Sequence, residues 1–179
     1  MLSEYASFLF EHASPDDFVS AARDGDAAMV RVLSGCFDTV DVVDRHSATA
    51  LYMASIGDHA EIVEFLLERG ANPNIQNRSG RSAVTMAAAR NAYRALRLLI
   101  DFGGIVDADA LMLVAQTGAT QSLGVLLREA CFSQEELTVA YDEARAFLHV
   151  KVMVALGLAG ADVDLSKVYR VCWGLVVDR

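Results

Sequence analysis

One unit recurs along this chain at a spacing of 33 residues, and that spacing constrains the fold more than any other feature. The clearest copy is DRHSATALYMASIGDHAEIVEFLLERGANPNIQ, from Asp44 to Gln76. Moving back 33 positions lays Ala21-Ala22 on Ala54-Ser55, Met29-Val30 on Ile62-Val63 and Leu33 on Leu66. Moving forward 33 lays Ala87-Ala88 on Ala54-Ser55, Leu96 on Val63, Leu99-Ile100 on Leu66-Leu67 and Gly103 on Gly70. Chance rarely repeats so many small and apolar positions together, and a fixed period of this length marks an array of small units that bury their faces against each other. Each copy reads as two short helices with a polar loop at each end. The chain is therefore expected to be a stack of one unit, not a globule around one central core.

Composition agrees with many small buried faces. The hydrophobic content is 54% and the mean hydropathy +0.30, yet the apolar residues come in short pulses broken by Asp, Arg and Gly, far short of a membrane span. Two prolines in 179 residues, with abundant Ala and Leu, favour helix. The start has no basic region and Glu4 interrupts its apolar part, which argues against a secretory signal. Cys36, Cys131 and Cys172 are odd in number and have no motif spacing. Reduced, mostly packed thiols and a cytoplasmic location are expected. A net charge of −9 disfavours nucleic-acid or anionic-membrane binding by the surface as a whole.

Taken in order, residues 1–13 read as an N-terminal capping helix with Leu2, Tyr5, Phe8 and Leu9 on one stripe. Repeat 1 covers 14–43 and opens with Ser14-Pro15-Asp16-Asp17, a capping residue, a proline suited to the first helical position and acids at the positive end of the helix dipole. The turn Asp24-Gly25-Asp26 leads to a second helix that Gly35 is placed to end. Repeat 2 is 44–76 and repeat 3 is 77–107. Repeat 4, 108–132, is shortened: Leu111, Leu113, Val114-Ala115, Gly118, Leu123 and Leu126-Leu127 fit at an offset of 27. Repeat 5, 133–164, is divergent. It starts on the capping-box pattern Ser133-Gln134-Glu135-Glu136, and its turn near Ala146 to His149 lacks glycine. The apolar segment 165–179, with Val168, Tyr169, Val171, Cys172, Trp173 and Leu175 to Val177, reads as a C-terminal cap. A boundary to a further repeat, or a self-association edge, is the alternative.

At these residues the chain resembles the ankyrin-repeat family. Thr49-Ala50-Leu51-Tyr52 stands where the family has Thr-Pro-Leu-His, followed by Glu61-Ile62-Val63, Leu66-Leu67 and Gly70-Ala71-Asn72-Pro73-Asn74. Gly160-Ala161-Asp162-Val163-Asp164 is a second copy of that last element. The resemblance covers roughly residues 15 to 164 and implies an all-α solenoid of four to five helix-turn-helix units with short β-turn fingers. The fourth unit is expected to lack its finger. No unit carries the full Thr-Pro-Leu-His: Tyr52 replaces His, and repeat 3 reads Ser82-Ala83-Val84-Thr85. The hydrogen bonds of those turns are thus partly lost or rebuilt.

Chemistry-bearing motifs are missing. There is no Gly-x-Ser-x-Gly, no phosphate-cradling loop, no His-Glu-x-x-His and no Cys-x-x-Cys. The four histidines have no metal-ligand spacing, and His59, at the start of a second helix, is expected to be structural. Acids at Asp16-Asp17, Glu135-Glu136 and Asp142-Glu143 suit helix starts and a solvated face. Met29, Met53, Met86 and Met112 are expected to fill gaps in the repeat interiors. Neither catalysis nor a cofactor, metal or small-molecule substrate is expected.

Function then falls to the extended concave surface of such an array. Carried over from the family template, that surface takes Arg45, His46 and Ala48 from the second finger and Gln76, Arg78, Ser79 and Arg81 from the third. First-helix ends add Arg23, Asp24, Ile56, Ala89, Arg90, Gln116 and Thr117. Five arginines against one acid, in a chain of net charge −9, point to an acidic or carboxylate-rich protein segment as partner. The expectation is a monomeric scaffold gripping its partner with the N-terminal half. An immunity or inhibitor protein blocking a partner enzyme's active site is the alternative.

Overall fold

The computed structural model describes residues 13–162. The expected opening helix and the segment 165–179, with His12 and Cys172, lie outside the described residues. Among the described residues ten helices follow in pairs. They are α1 Pro15–Asp24, α2 Ala27–Leu33, α3 Ala50–Ile56, α4 Ala60–Glu68, α5 Ala83–Ala89, α6 Tyr93–Asp101, α7 Ala108–Thr117, α8 Thr120–Glu129, α9 Gln134–Ala146 and α10 Val150–Ala159. The chain divides into two compact units, one of residues up to Ala87 with Ala92–Ile105, the other of Ala88–Asn91 with the residues from Val106 onward.

Local chemistry starts these helices where the residues indicate. Ser14 accepts from the Asp17 amide while the Asp17 carboxylate accepts from the Ser14 amide, with Pro15 in the first turn. Ser133 and Glu136 build the same reciprocal cap at the start of α9. The Ser133 amide and hydroxyl both donate to the Glu136 carboxylate and hold its pKa below the usual value of 4.5. Asp26, Thr49 and Asp107 cap α2, α3 and α7 with their side chains.

In the first unit α1 packs on α2 and on α3, α2 and α3 on α4, and α4 on α6. First helices thus meet first helices and second helices meet second helices. The core is accordingly a row of layers: Phe18 and Ala22 from α1, Leu51 and Ala54 from α3, Val63 and Leu66 from α4, Leu96 and Leu99 from α6. Alanines at the first-helix contacts let the backbones come close, and the leucines fill the space behind them. In the second unit α7 packs on α8 and α9, and α10 on α8 and α9, around Leu111, Leu123, Leu126, Met153 and Leu156.

Three expectations need correction, the first being packed thiols: of the described cysteines Cys36 is half-buried and Cys131 is exposed. Met29, Met53, Met86 and Met112 are not interior gap fillers: Met29 is 39% exposed and the other three are half-buried. The first helices that carry Met53, Met86 and Met112 bury an alanine-rich stripe and leave the methionine at its edge, whereas Met29 lies on α2 beside a buried face of Val30 and Leu33. Among the described residues the fully buried methionine is Met153. Ala48 is also buried, because its amide and carbonyl close the second finger loop, and it presents no surface to a partner.

The turn between the two helices of each pair has a left-handed residue at a fixed place. It is Gly25, Asp58, Asn91, Gly118 and Leu148, with φ of 78°, 53°, 58°, 73° and 59°. Leu148 explains the unplaced glycine of the fifth repeat: a leucine takes the left-handed conformation, at an energetic cost that the surrounding helices must offset.

Candidate protein-interaction surface

Two loops of the first unit carry Arg45, His46, Arg78, Ser79 and Arg81 of the surface residues expected from the sequence, and both are built the same way. In the first, Asp44 accepts from the His46 and Ala48 amides, the Asp44 amide donates to the Ala48 carbonyl, and Ser47 turns the chain at φ 60°. An isolated antiparallel bridge joins Val43 to Thr49 at its base. In the second, Asn77 accepts from the Ser79 and Arg81 amides, its own amide donates to the Arg81 carbonyl, and Gly80 turns the chain at φ 72°. A short acceptor side chain at the first position and a left-handed residue at the fourth make each loop a closed turn.

The loops are tied to each other and to the helices. The Asn77 side-chain Nδ2 donates to the Tyr52 hydroxyl at 2.9 Å, and Arg78 Nε to the Ser47 hydroxyl at 3.2 Å. Tyr52 thereby supplies a hydrogen-bond partner at the place where the family has histidine. Repeat 3 rebuilds its turn through Ser82, whose hydroxyl accepts from the Thr85 amide and shares a bond with the Thr85 hydroxyl. Behind the loops, the Asp41 carboxylate accepts from the Asn72 amide and Asn74 Oδ1 accepts from the Ile105 amide.

Residue by residue, Arg45, His46, Gln76, Arg78, Ser79 and Arg81 are exposed on or beside these loops. Arg23 and Asp24 are exposed at the end of α1, and Ile56 is half-buried at the end of α3. In the second unit Arg90 and Thr117 are exposed, while Ala89 and Gln116 are half-buried. Two of these side chains are already engaged: the Thr117 hydroxyl donates to the Leu113 carbonyl, and the Gln116 amide lies 3.5 Å from Glu143.

Charge is distributed less simply than the template set suggests. A cavity of about 280 Å³ is lined by Asp16, Asp17, Val19, Ser20, Arg23, Asp44, Arg45, His46 and Met53. Arg45 Nε sits 3.9 Å from Asp16, and Arg23 Nε 3.2 Å from Asp24. The end of the surface around Arg45 is thus of mixed sign, because the acids of α1 and of the loop base come beside it. Arg78 and Arg81 differ: among the described residues neither has an ion pair. Asp16 and Asp44 were missed in the sequence because Asp16 is 29 residues from Arg45, and Asp44 reads there as a turn residue.

Two of the histidines, His59 and His149, are tied to backbone carbonyls. His59 Nε2–H donates to the Arg23 carbonyl at 3.1 Å and His149 Nε2–H to the Gln116 carbonyl at 2.9 Å. Each ring packs over the glycine of the preceding turn, Gly25 and Gly118 respectively. Among the described residues no group of three or more His, Cys, Asp or Glu could hold a metal ion, and no helix is long and apolar enough to cross a membrane.

The residues from 36 to 87, which hold the first closed loop and the helix pair that follows it, match the family model described as ankyrin repeats (many copies). This chain is an ankyrin-repeat protein. It is 31% identical over 129 residues to the rice probable E3 ubiquitin-protein ligase XBOS33, covering 65% of this chain and 24% of that protein. It is 31% identical over 97 residues to chicken inversin, covering 53% of this chain and 9% of the relative. A putative ankyrin repeat protein of a mimivirus is 40% identical over 52 residues, 29% of this chain and 13% of that protein. The ankyrin-repeat chain therefore spans a quarter or less of the length of each of these relatives. Its fold is of the all-α ankyrin class, and its repeats make it a protein–protein interaction module.

Proposed function

We propose that the ankyrin repeats of the first unit bind an acidic segment of a partner protein through the loops Asp44–Ala48 and Asn77–Arg81. The observation that carries this reading is the pair Arg78 and Arg81, exposed on a loop held in shape by Asn77 and free of ion pairs among the described residues. Guanidinium groups on a preformed loop lose little entropy when they meet carboxylates, and they can do so with two parallel hydrogen bonds. Arg23, Arg45 and His46 line the neighbouring mixed-sign cavity, where Asp16, Asp17 and Asp44 would orient a polar segment and repel a purely acidic one. Asp24 and Gln76 flank these positions, Ser79 lies between the two arginines, and Ile56 supplies an apolar edge. On the second unit Ala89, Arg90, Gln116 and Thr117 are proposed as a separate, weaker contact set.

The test is direct. The natural partner is co-purified, and its affinity is compared for the unaltered chain and for the Arg78→Glu, Arg81→Glu variant. Two exposed charge reversals should weaken binding at least about thirtyfold, if each lost charge-assisted pair is worth about 1–2 kcal/mol. Equal affinity for a folded variant would defeat the proposal. Assaying the partner's own activity with and without the chain separates inhibition from scaffolding.

A further inference from the structure

Position by position, the loops Asp44–Ala48 and Asn77–Arg81 spend their backbone amides in the same way. The first amide donates to the fifth carbonyl, the fourth to the first carbonyl, and the third and fifth to the side chain of Asp44 or Asn77. The second amide is left over, and in both loops it belongs to an arginine, Arg45 or Arg78.

In the first loop that amide is used. The Arg45 amide donates to Asp16 Oδ1 at 3.1 Å, and Arg45 Nε stands 3.9 Å from Asp16 Oδ2. One residue thus addresses both oxygens of a carboxylate carried by the preceding repeat. A backbone N–H and a guanidinium converging on one carboxylate combine a charge-assisted hydrogen bond with an ion pair.

The second loop has the same donors and no acid to meet them. In the repeat register Asp16 falls on Thr49, which is buried and whose hydroxyl accepts from the Tyr52 amide. Arg78 also reaches back to the preceding repeat, where its Nε donates to the Ser47 hydroxyl, so both terminal nitrogens of its guanidinium are left to meet a ligand. Among the described residues the Arg78 amide has no hydrogen-bond partner, and the residue is exposed. We infer that the Arg78 amide and guanidinium form a carboxylate-binding subsite, taking from a partner the group that Asp16 supplies to Arg45. The subsite deepens the reading of these loops as partner-binding and rests on it for its biological use. Its chemistry is sharper than attraction between charges. An N–H held in place by the Asn77 turn bonds one carboxylate oxygen while the side chain meets the other. Side-chain carboxylates and a free chain terminus share that chemistry.

Amide shifts in nitrogen–proton correlation spectra of the full chain test it with short peptides. One is acetyl-Ala-Asp-Ala-amide, one acetyl-Ala-Asn-Ala-amide, and one acetyl-Ala-Ala-Ala with a free carboxyl end. The aspartyl peptide should move the Arg78 amide proton downfield to saturation, and the asparaginyl peptide should leave it in place. The Arg45 amide should stay unmoved, since Asp16 occupies it, and should respond once Asp16→Ala vacates it. Arg78→Gln should weaken the aspartyl peptide about tenfold, the effect of losing one charge-assisted contact. A response to the free carboxyl end alone keeps the subsite and assigns it to a chain terminus. An Arg78 amide that ignores both carboxylates, or answers the asparaginyl peptide equally, overturns the inference. So does an Arg45 amide still silent in the folded Asp16→Ala chain.

The subsite and the partner-binding role fail separately. If Arg78→Glu, Arg81→Glu loses the natural partner while the Arg78 amide stays silent, the arginines act as charges alone and the subsite falls. A responsive amide with undiminished partner affinity keeps the subsite and removes the partner-binding role.

Discussion

His59 donates from Nε2 to the backbone carbonyl of Arg23 across 3.1 Å, and its ring lies where a side chain on Gly25 would have to go. A Cβ built on Gly25 would sit 2.7 Å from His59 Cε1, and Gly118 stands in the same relation to His149. Where the turn residue is instead Asp58 or Asn91, the position of the histidine is Ala92 or Ala119. The acid or amide then reaches the next second helix itself: Asp58 accepts from the Ala95 amide, and Asn91 from the Gln121 and Ser122 amides. Glycine pairs with histidine, and Asp or Asn with alanine. Each pairing supplies one polar link between consecutive repeats within its unit.

Gly25→Ala should therefore destabilise the chain by about 1–3 kcal/mol, from the left-handed backbone and the displaced His59 ring together. His59→Ala should cost about 1 kcal/mol through the lost hydrogen bond. The double variant should lose measurably less than the sum, because removing the ring removes the clash. Urea unfolding of the four chains of this cycle checks it, and strict additivity would refute the pairing.

Asn91→Ala removes the acceptor of two helix-start amides and leaves a β-carbon at φ 58°. A loss of about 2–3 kcal/mol is expected. Asn91→Asp keeps both acceptance and tolerance of the left-handed region, and should stay within about 1 kcal/mol of the unaltered chain. Equal losses in the two variants, read from denaturation midpoints, would contradict the assignment.

Glu136 is held below its ordinary carboxyl pKa by the Ser133 amide and hydroxyl. A depressed folded value means that the stabilisation is present above the unfolded value of 4.5 and is lost as pH falls through the folded one. Glu136→Gln should thus lower stability at neutral pH and leave it nearly unchanged in acid. A difference between the two chains that is constant with pH would show that the cap works without its charge.

Much of the fold was legible because it depends on local chemistry and on periodicity. Ser14-Pro15 and Ser133 to Glu136 announce helix starts, and the 33-residue spacing of alanines and leucines fixes which faces are buried. What escaped depends on residues far apart in the chain. The left-handed Leu148 has no local signal, since its neighbours impose the turn. The methionines sit on the edge of a buried stripe, where periodicity does not separate interior from rim. At the candidate surface the arginines were legible as exposed loop residues. The acid Asp16 that meets Arg45 was not, because only the packing of α1 against the first loop brings it there, and Asp44 reads in the sequence as a turn residue.

Leu66 shows how such an array shares its load. It is fully buried between layers, so Leu66→Ala should cost about 2–5 kcal/mol. Neighbouring repeats stabilise each other through their interfaces, so the loss should be felt beyond the substituted repeat. Hydrogen exchange should show faster opening of α3, α4 and α6 together. Acceleration confined to α4 would contradict this.

The loops Asp44–Ala48 and Asn77–Arg81 are the surface proposed to bind the partner. The most direct measurement is the affinity of the co-purified partner for the Arg45→Glu, Arg78→Glu, Arg81→Glu variant, with folding verified by circular dichroism. A loss of at least about a hundredfold is expected, carried mainly by Arg78 and Arg81. An unchanged affinity in the folded triple variant would contradict it.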